Sequence, residues 1–166
     1  KYLSFFLIII CFFSCEQDPA PVNYESKYGN GTYILTDNGL NFIKKNTTAV
    51  KNQIFSSVNG SSLLSPVEIE IYGNRLYIVG KDFYATDINT LQLLGQVGGF
   101  VNASACAIIP QNRAFVSDKS ESLVKLVDLD NYRIISEIET GVGTSPGFII
   151  NKYDKSFVLN GGDNDN

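Results

Sequence analysis

From residue 31 onward the chain is written in short segments of alternating apolar and polar residues, the period of half-buried β-strands, separated by turn residues. One such segment recurs. Asn74-Arg75-Leu76-Tyr77-Ile78-Val79, Asn112-Arg113-Ala114-Phe115-Val116-Ser117 and Asp154-Lys155-Ser156-Phe157-Val158-Leu159 each place a strand behind a turn residue, 38 and then 42 residues apart. In the first copy the strand over 75–79 leads through Gly80-Lys81-Asp82 into a strand over 83–87. A turn at Asn89-Thr90 and a strand over 91–97 follow. The second copy repeats this as 113–117, a loop over 118–122, 123–128, a turn at Asp130-Asn131 and 132–138. Asp87 and Asp128 close equivalent strands 41 residues apart, so the copies differ by three residues in the preceding loop, where a repeat scaffold tolerates insertion.

Each copy is preceded by a further strand. Val67, Ile69 and Ile71 alternate with Glu68 and Glu70, which predicts one covered face. Residues 105–109 and 148–150 are apolar throughout and predict strands covered on both. A weaker copy starts at Gly31, with Tyr33-Ile34-Leu35, a turn at Asp37-Asn38-Gly39, a strand over 40–45, a polar turn over 46–48 and a strand over 49–55. No segment from 31 to 166 shows capped, helix-spaced apolar residues, and β-branched and aromatic residues dominate, so the expected fold is all-β. A period near forty with several strands per period is the pattern of β-propeller blades, here four-stranded and antiparallel, with about three present. Tyr77, Phe115 and Phe157 hold one position in three copies and are expected to lie buried between neighbouring sheets, apart from losses at an edge. The chain opens on Lys1 and stops inside a copy at Asn166, so it is expected to be part of a longer protein. Propellers close with about four to eight blades.

Particular residues resemble a known family. Thr140-Gly141 through Ser145-Pro146-Gly147-Phe148-Ile149, with Lys155 to Asn160, is similar to the connector and second strand of YVTN (YncE-type) propeller repeats. Asn52-Gln53-Ile54-Phe55, Asn59-Gly60 and the stretch from Val67 to Val79 resemble the opening of Bacteroidetes surface-lipoprotein propellers of unknown function. Gly31 to Asn38 fits their first strand. The resemblance covers 31–166 and implies a closed propeller of about seven blades. It departs from the YVTN pattern at Gly98 to Ser104, a connector without proline.

The first fifteen residues predict a lipoprotein signal segment. Tyr2 to Phe13 is almost uninterruptedly apolar, too short to span a bilayer and placed as a signal core, and Ser14-Cys15 follows it. A small residue before cysteine at that place resembles a lipobox, which makes Cys15 the expected lipidation site. Cys11 follows Ile10 and fits less well. Residues 16–30 are polar, carry two prolines and read as a tether, and their acidic residues resemble a surface-export signal. An outer-membrane lipoprotein exposed at the cell surface is the expected localisation. Cys106, between Ala105 and Ala107 in an apolar strand, is expected to pack in the core rather than act as a nucleophile.

A net charge of −4 with no basic stripe argues against a nucleic-acid partner. Gly143-Thr144-Ser145-Pro146-Gly147 satisfies G-x-S-x-G, but a nucleophile elbow needs a strand-to-helix turn and a histidine base, and the sequence contains no histidine. No catalytic residue and no cofactor is indicated. Asp163 and Asp165, alternating with amides in the run from Asn160 to Asn166, are candidate calcium ligands, although that run aligns with an ordinary loop. The expected function is a binding module that captures a small ligand or contacts an outer-membrane transporter. The resemblance extends to cobalamin-capturing lipoproteins that sit over a TonB-dependent transporter. Two alternatives are a propeller enzyme of quinoprotein-dehydrogenase or lactonase type and a structural or adhesive surface protein. The longer loops and blade connectors are expected at one end of the sheets, opposite the tight turns. They are the expected binding face, with Phe100 as an exposed aromatic contact and Asp118 beside it.

Overall fold

The computed structural model describes residues 27–162. The signal segment, Cys15, most of the tether, and Asp163 and Asp165 lie outside them. The described chain forms four antiparallel sheets in sequence order. The first joins β1 (Gly31–Thr36), β2 (Gly39–Lys44) and β3 (Val50–Lys51), and is followed by a short helix, α1 (Ile54–Asn59). The second contains β4 (Glu68–Tyr72), β5 (Arg75–Val79), β6 (Phe83–Asp87) and β7 (Leu93–Val97). The third contains β8 (Ala103–Ile109), β9 (Arg113–Asp118), β10 (Leu123–Asp128) and β11 (Arg133–Glu139). The last is a hairpin of β12 (Thr144–Lys152) and β13 (Lys155–Gly162). Every strand pairs with its successor within a sheet, which is the meander of a propeller blade.

The sheets stack face to face, and β5 shows why its sequence lacks a polar face. Leu76 and Ile78 enter a core shared with the first sheet, which also holds Phe42, Phe55 and Leu91, whereas Tyr77 and Val79 enter a second core with Cys106, Val116 and Leu129 of the third. A strand buried on both sides has no position for water-loving residues. The third interface is smaller, built from Ala105, Ala107, Val124 and Ile149 with Phe115 against it. Burial of the repeated aromatic is therefore graded: Tyr77 is 1% exposed, Phe115 is partly buried and Phe157 is 52% exposed. Ala105 to Ile108 are covered on both faces as expected. Around Ile149, by contrast, Phe148 and Ile150 point to an uncovered side, which corrects the expectation of two covered faces there.

Residues 49–55 correct a second expectation. Only Val50 and Lys51 pair with β2; Gln53 then takes a left-handed backbone (φ 49°) and the chain enters α1. Ile54 and Phe55 are needed in the gap between the first two sheets, and a helical turn delivers both side chains there with Val58 packed behind them. Gly60 (φ 69°) ends the helix, its N–H donating to the carbonyl of Ser56. Asn59 then ties the helix to the second sheet, its side chain donating to Leu91 O and accepting from Leu93 N.

The acidic residues at the strand ends act as turn caps. Asp87 Oδ1 accepts the N–H groups of Asn89 and Thr90 at 2.9 and 2.8 Å, and Asp128 Oδ1 accepts that of Asp130 at 2.9 Å. Each turn then passes through a bulky residue in the left-handed region, Leu91 (φ 61°) or Tyr132 (φ 51°), so the fourth strands begin slightly later than the sequence pattern predicts. The Tyr132 ring lies where a side chain on Gly95 of the neighbouring sheet would be, 2.2 Å from an ideal Cβ, and only glycine admits it.

Candidate functional site

The first strand of each later sheet forms one of its edges, and these edges converge: β4 packs against β8, and β8 against β12. A strand edge presents unpaired backbone groups. Two side chains from neighbouring sheets meet those of β8. Glu68 Oε2 on β4 accepts the N–H of Cys106 at 2.6 Å, and Asn151 Nδ2 on β12 donates to Ile108 O at 2.6 Å. Ser156 Oγ in turn donates to Asn151 Oδ1 at 2.7 Å and holds the amide in that orientation.

Between the converging strands lies a groove made of two adjacent cavities. One, about 370 Å³, is lined by Glu68, Glu70, Cys106, Ala107 and Phe148. The other, about 390 Å³, opens among the tight turns and is lined by Pro110, Phe115 and the hairpin residues Lys152 to Lys155. Tyr72, Ile108 and Asn151 border both. Of the three apolar residues alternating along β4, only Ile69 packs against the core shared with the first sheet, and Val67 (54%) and Ile71 (49%) stay exposed, which corrects the expectation of one covered face along the whole strand; Glu68 and Glu70 border the groove. Burial pushes the Glu68 carboxyl above its ordinary range, and Glu70 adds to this against the downward pull of the Cys106 N–H; burial alone raises Glu70. Cys106 is buried, and desolvation first, then the two carboxylates, hold its thiol well above the usual value. It remains protonated and packs as an apolar side chain, as its neighbours in sequence imply.

The loop end is built differently from the sequence expectation. The 80–82 and 118–122 loops and the connectors do emerge together: Lys119 N donates to Asn102 O at 2.9 Å. Phe100, expected to be an exposed contact, is 8% exposed and closes the core between the second and third sheets. Lys125 Nζ lies 5.4 Å from its ring centre. Asp118 is fully buried, accepting the N–H groups of Val101 and Asn102 at 2.7 and 3.0 Å and pairing with Lys125 at 3.4 Å. Lys125 also donates to Gly99 O at 2.6 Å and pairs with Glu121. Burial raises the Asp118 carboxyl, but the two connector amides, Glu121 and the ammonium outweigh it and hold the group below its ordinary value. The physical reason for the correction is shared: a connector crossing between two sheets needs an apolar plug and a partner for its amides, and these two residues supply them.

Ser145 lies within β12 opposite Gly161, on an extended strand rather than a strand-to-helix elbow. Among the described residues no cluster of three or more histidine, cysteine, aspartate or glutamate side chains can hold a metal ion. The groove carboxylates and the Lys152–Lys155 turn were not singled out by sequence reasoning. Their signal was charge on a first strand and next to a two-residue turn.

No protein-family model matches this sequence, and none of the curated proteins does. Solved structures do. Kuenenia stuttgartiensis hydrazine synthase aligns at 22% identity with a TM-score of 0.53, over 70% of this chain and 32% of its own. A quinonprotein alcohol dehydrogenase-like protein from Bacteroides thetaiotaomicron gives 0.56 at 19% identity, over 67% and 29%. The computationally designed Ika8 protein gives 0.59 at 14%, over 80% and 40%. The chain thus spans less than half the length of each, and at such identities the likeness is one of fold: stacked β-propeller blades.

Proposed function

We propose that this chain belongs to a lipid-anchored cell-envelope β-propeller that acts as a binding module and captures a small molecule in the groove between its first strands. The observation that carries the reading is the groove itself. Strands from three sheets converge on it, two edge groups of β8 are already satisfied by Glu68 and Asn151, and the space between remains open, its turn end lined mostly by apolar surface and its other part bordered by the Glu68 and Glu70 carboxylates. Concave, mostly apolar sites with a few placed polar groups are how proteins hold small ligands. The sequence-derived Cys15 anchor and polar tether support display at the outer membrane surface. The resemblance to transporter-associated lipoproteins supports a TonB-dependent transporter as the recipient.

Thermal-shift screening of the intact protein against small metabolites tests this. A stabilising compound whose effect is lost in Tyr72→Ala, which alters an exposed groove residue, supports the groove. Hits that respond only to changes in the 98–104 connector move the site to the loop end. Chemical turnover of a hit favours the enzyme alternative.

A further inference from the structure

The hairpin joining β12 to β13 turns through Tyr153 and Asp154, with φ angles of 51° and 58°. Both central residues are left-handed, a geometry that Asn-Gly takes without strain. The second sheet uses Gly73 (φ 61°) at the equivalent place and the third the polar pair Gln111 (φ 66°) and Asn112 (φ 54°), so of the three turns only this one puts an aromatic ring there. A tyrosine there meets the Cβ crowding that makes this region costly for bulky side chains. Its ring gains no burial in return, being 83% exposed.

Behind this turn Lys152 and Lys155 stand directly opposite each other across the two strands. Like charges so placed repel, and neither ammonium makes an ion pair among the described residues. The equivalent pairs, Tyr72 with Arg75 and Ile109 with Arg113, carry one cation each. Two locally unfavourable features thus coincide on the rim of a cavity, which is where function rather than folding is expected to set the residues. The cavity, about 390 Å³, lies within the range of small-molecule sites, and its lining combines Ile108, Pro110 and Phe115 with the Tyr72 and Tyr153 rings. Lys152 Nζ is 5.1 Å from the centre of the Tyr153 ring.

We propose that this turn-end cavity binds a small organic anion with a flat apolar body, an aromatic carboxylate. Its charge sits between Lys152 and Lys155 and relieves their repulsion, while its ring lies against Tyr153 and the apolar lining. The inference rests on the binding-module reading and adds to it the end of the groove and the ligand class.

The test uses 2-naphthoate titrated calorimetrically into the intact protein, with 2-naphthylmethanol as the uncharged analogue and acetate as the ringless one. Binding of 2-naphthoate alone is expected, weakening with added salt. Lys152→Gln with Lys155→Gln should weaken it about tenfold or more and raise the melting temperature of the unliganded protein. Tyr153→Asn should likewise weaken binding and raise the melting temperature, because asparagine tolerates the turn. Leu159→Ser, on the exposed apolar face of β13, should leave binding unchanged. A lower melting temperature for Tyr153→Asn overturns the functional origin of the strain. Equal binding of the uncharged analogue, or none by 2-naphthoate, overturns the ligand class. The binding-module reading fails separately, if the metabolite screen returns no compound dependent on Tyr72.

Discussion

Glu68 and Cys106 sit on different sheets, and the side chain of one completes the backbone of the other: Glu68 Oε2 accepts the Cys106 N–H at 2.6 Å. A buried N–H without a partner costs about 1–3 kcal/mol. Glu68→Ala is expected to destabilise by that amount and to speed amide exchange at Cys106, whereas Glu68→Gln keeps an acceptor and retains protection. Hydrogen exchange of the two variants checks it; equal exchange rates would show that the contact contributes nothing to the edge.

Glu70 shares the groove without a hydrogen bond of its own among those described, and burial raises its pKa. A carboxyl whose folded pKa exceeds its unfolded value binds its proton more tightly in the native state. Its contribution is therefore present below the ordinary carboxylate range and is lost as pH rises through the raised value. Glu70→Gln should melt higher than the parent at neutral pH, with the difference closing as pH falls through that window. Melting curves across pH decide it, and a difference that widens on acidification would contradict the burial argument.

The buried pair of Lys125 and Asp118 clamps the 99–102 connector from both sides. Removing one partner leaves an uncompensated charge, so Lys125→Met should cost roughly 3–5 kcal/mol in urea unfolding. The Asp118→Asn, Lys125→Met double variant should recover part of it. Because the Asp118 pKa is held low, its contribution is present above the ordinary aspartate range and is lost as pH falls through the lowered value. Lys125→Met should flatten that acid limb of the stability profile, and an unchanged limb would place its origin in another carboxylate.

For the anchor, cells expressing the intact protein and fed a fatty-acid probe should label it, and Cys15→Ser should abolish the label. Two acyl chains or more give stable attachment. Persisting label in the variant would move the site elsewhere, with Cys11 the next to change.

The repeat, the strand order and most strand limits were legible in the sequence, because alternation and turn chemistry are local: β5, β6 and β10 begin and end where their patterns do, and Asp87 and Asp128 cap the turns they precede. The alternation of Ile69 with Glu68 and Glu70 likewise showed that β4 has one apolar face. What faces the other side depends on which sheet comes next, and only tertiary structure settled that the two carboxylates border a groove. The same holds for Phe100 and Asp118. Their loop position implied exposure, yet the stacking of two sheets drew the ring into the core and the carboxylate onto the connector amides. Ile54 and Phe55 became helical because filling the gap between sheets outweighed their strand propensity. The strained Tyr153 turn is a backbone fact that residue type alone argued against, and the opposition of Lys152 to Lys155 exists only once the hairpin register is set.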